Sequence, residues 1–225
     1  MRFYKENLKN KIELSGFLLV YLMLFANAFI THDSAIALFS AFCGISYTIL
    51  AGKGIPACYL IGVCGSVLYS YLSFVNSLWG NLLLYACYYV PMQILGFFKW
   101  NKHLKSDKNE IIKISLGPKE KIIITLIGII MSVFAIVILK HFGDTNPIAD
   151  GITTMLSIIG MYLTIRRTLE QWCIWMIVNG LSFIMWLQIA LAGEKVYSTV
   201  IMWGAYFILS IYFFFTWKKE INSQV

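Results

Sequence analysis

Apolar residues run through this chain in long blocks, and charged residues gather in the short segments between them. A helix that crosses a bilayer needs roughly 20 mostly apolar residues, with a range of about 17–25. Eight stretches meet that need: 14–31, 34–51, 55–75, 79–100, 120–141, 150–166, 171–191 and 196–217. The sixth is the shortest and opens on Asp150-Gly151-Ile152-Thr153-Thr154; merging two blocks would leave seven spans. Arg2, Lys5, Lys9 and Lys11 precede the first block like the charged start of a signal peptide, and Ala26-Asn27-Ala28 has the form of a cleavage site. The block outruns the usual signal core of about 7–15 residues and continues past Ala28, which reads as a retained helix.

Composition sharpens this into a membrane assignment. Of the 225 residues, 59% are apolar and 13% charged, against about 45–50% and about 25% in soluble domains. The expected fold class is all-α: a polytopic membrane protein of about eight transmembrane helices. With the N-terminus placed inside, 16 of the 18 Lys and Arg residues fall in inside segments and only Lys140 and Lys195 fall outside. By the positive-inside rule both termini are cytoplasmic and the helix number is even. The expected location is a bacterial inner membrane. The net charge of +7 is therefore topological, so the lipid bilayer is a partner and nucleic acid is not. Cys43, Cys58, Cys64, Cys87 and Cys173 all lie in apolar blocks without a C-x-x-C pair, and read as buried, reduced thiols.

The longest polar stretch, 101–119, divides the chain and prompts a search for a repeat. At an offset of 117, Tyr89, Ile94, Phe97, Phe98 and Trp100 meet Tyr206, Ile211, Phe214, Phe215 and Trp217. At an offset of 116, Ile36, Gly44, Thr48 and Ile49 meet Ile152, Gly160, Thr164 and Ile165. Helices three and seven align only loosely. Chance matches among Phe, Ile and Trp are frequent in apolar sequence; read as a repeat, these give two parallel three-helix bundles joined by a linker helix, a known transporter plan. The expected segments are 1–33 (tail and additional helix), 34–100 (first bundle), 101–149 (loop and linker helix), 150–218 (second bundle) and 219–225 (tail).

Polar residues inside spans face a partner or a cavity. On helix seven, Trp172, Trp175, Asn179, Ser182 and Trp186 recur at steps of three and four and share a face. Helix four carries Asn81, Tyr85, Tyr88 or Tyr89, Gln93, Gly96 and Trp100, and helix eight offers Tyr206 and Ser210. Gln93 and Asn179 fall at similar depths, where they either bond helix to helix or line a solute cavity. Trp79, Trp100 and Trp217 sit at span ends and read as interfacial belt residues. No Asp, Glu, Lys or Arg lies mid-span; Asp33, Asp144, Asp150, Glu170 and Glu194 are at ends. Ion-coupled carriers usually need a buried ionisable relay, so this pattern favours facilitated diffusion. His32, His103 and His141 form no ligand cluster, and there is no Walker loop. No metal, no cofactor and no enzymatic activity are expected.

Trp79-Gly80-Asn81 with Tyr85, Gln93, Gly96 and Trp100, and the run Glu170-Gln171-Trp172-Cys173-Ile174-Trp175-Met176-Ile177-Val178-Asn179, resemble two helix signatures of the PnuC family of nicotinamide riboside transporters. That family is related in fold to the SWEET sugar facilitators. The resemblance implies uptake of nicotinamide riboside, an NAD precursor, with a cytoplasmic kinase trapping it, and leaves homo-oligomerisation open. It implies that Gln93, Trp175 and Asn179 line the substrate site. Tyr85, Tyr89, Trp172, Ser182, Trp186 and Tyr206 join them on stripe geometry alone. The riboside's cationic ring suits aromatic walls, where cation–π attraction contributes about 0.5–2 kcal/mol. The alternatives are the same fold carrying thiamine or another vitamin, and a non-transporting membrane subunit.

Overall fold

The computed structural model describes residues 2–31, 35–75, 82–106, 109–143, 146–193 and 197–223. Trp79, Asn81, His32, Asp33, Asp144, Glu194 and Lys195 lie outside the described residues. Eight helices follow in order: α1 Arg2–Thr31, α2 Ala35–Lys53, α3 Cys58–Val75, α4, α5 Pro118–His141, α6 Pro147–Ile165, α7 Glu170–Leu191 and α8 Tyr197–Asn222. Helix α4 opens as a π-helical segment, Leu83–Tyr89, and continues as the α-helix Val90–Asn101. Two ends differ from the hydropathy blocks. Helix α1 begins at Arg2 rather than 14, and α8 runs to Asn222, because a regular helix can continue beyond the bilayer as long as its backbone bonds are met.

Proline starts α5 and α6: Pro118 and Pro147 occupy the first turn, where the missing N–H is not needed and the fixed φ already suits a helix. Pro91 instead lies inside α4, where the π-helical segment gives way to the α-helix. Helices α2, α3 and α4 pack in sequence, as do α6, α7 and α8. Across the divide α2 meets α8 and α4 meets α6. These two crossings are equivalent under the repeat, since α2 corresponds to α6 and α4 to α8. The six helices thus close into a ring whose two halves make matching contacts. Helix α1 packs on α2 and α8, and α5 packs on α6.

By length and composition α5, α6 and Thr199–Asn222 can each cross a membrane, with shorter apolar runs at Leu14–Ile30, Leu38–Lys53 and Cys58–Leu72. Helix α5 shows what solvent the fold expects. Its outer face exposes Leu126, Ile130, Phe134 and Val137, while its buried stripe is Gly128, Ser132 and Ala135. Apolar outside and small inside is the pattern of packing in lipid.

The polar stretch between α4 and α5 is not a slack tether. Leu104 bridges Ile111, and Ile114 bridges Thr168. Ile111 N–H donates to Gly54 O (2.9 Å), Ile114 N–H to Arg167 O (3.1 Å), and Leu169 N–H returns to Ile114 O (2.8 Å). Gly54 makes the α2–α3 turn with φ +77°, a conformation costly for other residues. Lys113 is buried in this cap, its Nζ 2.7 and 2.8 Å from the two carboxylate oxygens of Glu220 on α8. The cap therefore touches both bundles at the end of the molecule that carries most of the lysines.

Candidate functional site

Four helices carry an aromatic residue and a polar residue seven positions apart: Tyr59 and Ser66 on α3, Trp100 and Gln93 on α4, Trp172 and Asn179 on α7, Trp217 and Ser210 on α8. Seven residues are two turns, roughly 10 Å along a helix. The result is two layers, an aromatic one at the basic end and a polar one two turns inward.

In the polar layer, Ser66 Oγ donates to Gln93 Oε1 at 3.2 Å, and Asn179 Nδ2 donates to Ser210 Oγ at 2.8 Å. Gln93 and Asn179 are 4% and 5% exposed. The α4/α8 offset of 117 places Ser210 opposite Gln93, and an offset of 113 places Asn179 opposite Ser66. Each bundle thus holds one amide–hydroxyl pair at the same level, with the amide on α4 in one and on α7 in the other. This register also pairs Tyr59 with Trp172 and Gly62 with Trp175, an equivalence that residue identity alone conceals.

One turn further from the basic end lies a tyrosine layer. Tyr69 and Tyr85 have ring centroids 4.4 Å apart, and Tyr85 and Tyr89 4.8 Å. Tyr206 is a polar neighbour of both Tyr69 and Tyr85. Tyr89 is hydrogen-bonded with Ser157 on α6, and its repeat mate Tyr206 presses its hydroxyl on Gly44 of α2, where any Cβ would collide. Tyr88 Oη donates to Ile158 O at 2.7 Å. Tyr85, Tyr88 and Tyr89 all come from the π-helical segment, whose widened turn shifts successive side chains relative to an α-helix, a feature frequent at functional sites.

The helix-seven stripe divides. Trp175 Nε1 donates to Thr164 Oγ1 at 3.1 Å on α6, packing over Gly160. Asn179 turns to α8. Trp172 lies tilted against Phe213 (5.3 Å) and edge-on to Trp217 (5.7 Å) in the aromatic layer, two turns from Asn179. Ser182 is buried and Trp186 half-buried, about one and two turns along α7 from Asn179.

Two readings need correction. Trp100 and Trp217 are both 0% exposed, so neither is a lipid-facing belt residue. Their indole N–H groups are consumed by backbone carbonyls inside the protein. Cys43 and Cys58 are buried as expected, but Cys173 is only half-buried, and Cys64 and Cys87 are exposed, because the ring leaves an outward face on α3 and α4.

Sequence reasoning missed Ser66, Tyr69, Ser157 and Thr164. The seven-residue aromatic–polar spacing would have found Ser66; nothing local marks the others. Gly62 is a further supporting position. A Cβ there would lie 2.7 Å from the Tyr47 ring and 3.1 Å from Gln93 Nε2. Gly62→Val is expected to displace the Gln93 amide and weaken solute binding about tenfold, the loss of one well-formed hydrogen bond. Titration calorimetry on protein with an unchanged helical circular-dichroism spectrum checks it.

The sequence profile of the family described as nicotinamide mononucleotide transporter matches residues 34–219. This chain belongs to that family. The match starts at α2 and spans the six-helix ring together with α5. A relative from Neisseria mucosa, named nicotinamide riboside transporter PnuC, is 31% identical over 92% of this chain and 81% of its own length. One of the same name from Haemophilus influenzae is 30% identical over 85% of this chain and 83% of its own. A crystal structure described as the vitamin B3 transporter PnuC superposes with a TM-score of 0.82 at 28% identity, covering 95% of this chain and 93% of that one.

Proposed function

We propose that this membrane protein takes up nicotinamide riboside across the inner membrane by facilitated diffusion, with the two bundles alternating access to a site at the polar and tyrosine layers. The observation that carries this reading is the chemistry of that level. Two buried amide–hydroxyl pairs, one per bundle, lie between tyrosine and tryptophan rings. Gln93 and Asn179 can bond the carboxamide and ribose hydroxyls, and Tyr85, Tyr89, Trp175 and Tyr206 can wall the cationic ring. Ser182, Trp172 and Trp186 flank these positions along α7. The basic end is the cytoplasmic one, with both termini there. A cation entering a negative interior gains about 2.3 kcal/mol per 100 mV, and phosphorylation by a cytoplasmic kinase would trap it.

The relatives are named for nicotinamide riboside and the family for nicotinamide mononucleotide, two solutes that differ by a phosphate. Among the described residues the charged side chain that is fully buried is Lys113, which sits in the basic-end cap, engaged by Glu220. A phosphate at the polar layer would have no counter-charge, which favours the riboside. Isothermal titration of detergent-purified protein tests this. Micromolar riboside binding is expected, with the mononucleotide at least about a hundredfold weaker, the cost of burying a charge without a partner. Equal binding of both, or binding of thiamine alone, would overturn the substrate assignment.

A further inference from the structure

At the basic end the two bundles are joined by a matched pair of hydrogen bonds. Trp217 Nε1 on α8 donates to Gly52 O on α2 at 2.6 Å, and Trp100 Nε1 on α4 donates to Thr164 O on α6 at 3.0 Å. Trp100 and Trp217 correspond under the repeat, and each bond crosses from one bundle to the other. Both acceptors are the penultimate residues of their helices. Carbonyls in the last turn of a helix lack the usual partner four residues on, and a carbonyl can accept two donors: Thr164 O takes the Arg167 N–H at 2.9 Å as well as the Trp100 indole. Helix α2 is one turn longer in the repeat register, which moves the acceptor from the Thr48 level to Gly52. There the bare backbone lets the Phe213 ring lie against it.

Beside each latch lies a second matched feature. Tyr59 meets Trp100 edge-on, with centroids 4.9 Å apart at 79°, and Trp172 meets Trp217 at 5.7 Å and 80°. Tyr59 and Trp172 are also repeat mates. Tyr59 Oη and Trp172 Nε1 are buried with no hydrogen-bond partner. A buried donor without an acceptor is costly. That it occurs at both related positions, each against a latch, marks the closed arrangement as one held by the indole bonds against a penalty that opening relieves.

Thr164 ties this end to the solute layer. Its carbonyl accepts from Trp100 while its hydroxyl accepts from Trp175 and donates to Gly160 O at 2.8 Å. A shift of α6 that frees the latch therefore also moves the Trp175 ring.

We propose that Trp100 and Trp217 are the gate of the basic end: two repeat-related indole latches on helix-terminal carbonyls, closed in this structure and poised by the unpartnered Tyr59 and Trp172 donors. This rests on the alternating-access reading above, but its test needs no solute. Cys58 is fully buried at the start of α3, in the same core cluster as Tyr59, Trp100 and Trp217. With Cys43, Cys64, Cys87 and Cys173 replaced by alanine, Cys58 becomes the reporter. Inside-out and right-side-out vesicles are labelled with a membrane-impermeant maleimide. Trp100→Phe and Trp217→Phe keep the ring and delete the donor. Each is expected to raise labelling of Cys58 about fivefold, the value of one hydrogen bond, and only from the basic-end side. Tyr59→Phe deletes a penalty and is expected to lower labelling about as much, a direction that loosened folding cannot produce. Unchanged labelling in both tryptophan variants, or a rise from both sides of the membrane, would overturn the gate. If riboside binding fails but labelling follows this pattern, the substrate assignment falls and the gate stands.

Discussion

Asn179→Leu is expected to weaken riboside binding between about tenfold and a hundredfold, while leaving the protein folded and extractable. Leucine has the branched shape and the same number of side-chain heavy atoms as asparagine, so the change removes an amide without opening a cavity. The partner side survives, because Ser210 Oγ keeps its own bond to Tyr206 O at 2.7 Å and loses only what it accepted. Folding therefore loses about 1 kcal/mol, the net value of an ordinary hydrogen bond. The solute loses more. A buried hydroxyl or carboxamide brought to that position would find hydrocarbon, and a polar group buried without its partner costs about 1–3 kcal/mol. Gln93→Leu removes the amide of the other bundle and is expected to weaken binding likewise, though there Ser66 Oγ loses its acceptor rather than a donor. Titration calorimetry on both variants decides the matter. Wild-type affinity in both would remove the polar layer from the site and leave it a structural bond between helices.

The largest effect on stability is expected from Glu220→Gln. Lys113 has a side chain 1% exposed, and its ammonium rests on the Glu220 carboxylate and over the Trp217 ring at 5.2 Å. Burial pushes the Lys113 pKa below its usual 10.5, and the Glu220 carboxylate pushes it part of the way back. Neutralising Glu220 removes that support and leaves a buried cation. Breaking a fully buried pair costs about 3–5 kcal/mol. Glu220 keeps about a third of its side chain in water, so about 2–3 kcal/mol is the expected loss after discounting for screening. In a chain of this size that lowers Tm by about 5–10 °C.

The pH dependence has a definite sign. Because the folded pKa lies below 10.5, the unfolded chain binds the proton more tightly, so this group's contribution to stability increases as pH rises towards 10.5. In Glu220→Gln the increase begins at lower pH. Combining it with Lys113→Met, which removes the stranded charge, is expected to restore most of the lost Tm, since apolar replacement of a buried pair is often neutral. Thermal melts of the single and double variants check both statements. An unchanged Tm in Glu220→Gln would mean that the cap does not depend on this pair.

The sequence by itself determined the solvent, the helix count and the repeat. Each of these is written in a local period: about 20 apolar residues per span, lysines sorted by loop, and identities at offsets of 116 and 117 between helices two and six and helices four and eight. Gln93, Asn179 and the tyrosines stood out because a polar group in hydrocarbon is costly enough to be conspicuous. Which neighbour each polar residue meets was decided only by the tertiary structure. Seven residues from Trp172 to Asn179 fix a shared face but not a partner, and Trp175 on the same stripe turns to α6 while Asn179 turns to α8. The offset of 113 between α3 and α7 has almost no identities to show, because each bundle puts its amide on a different helix. Trp100 and Trp217 look like belt residues in one dimension, since depth along a helix places them near the bilayer surface. Only the ring of six helices turns them inward, where carbonyls in the last turns of α2 and α6 accept their indole N–H groups.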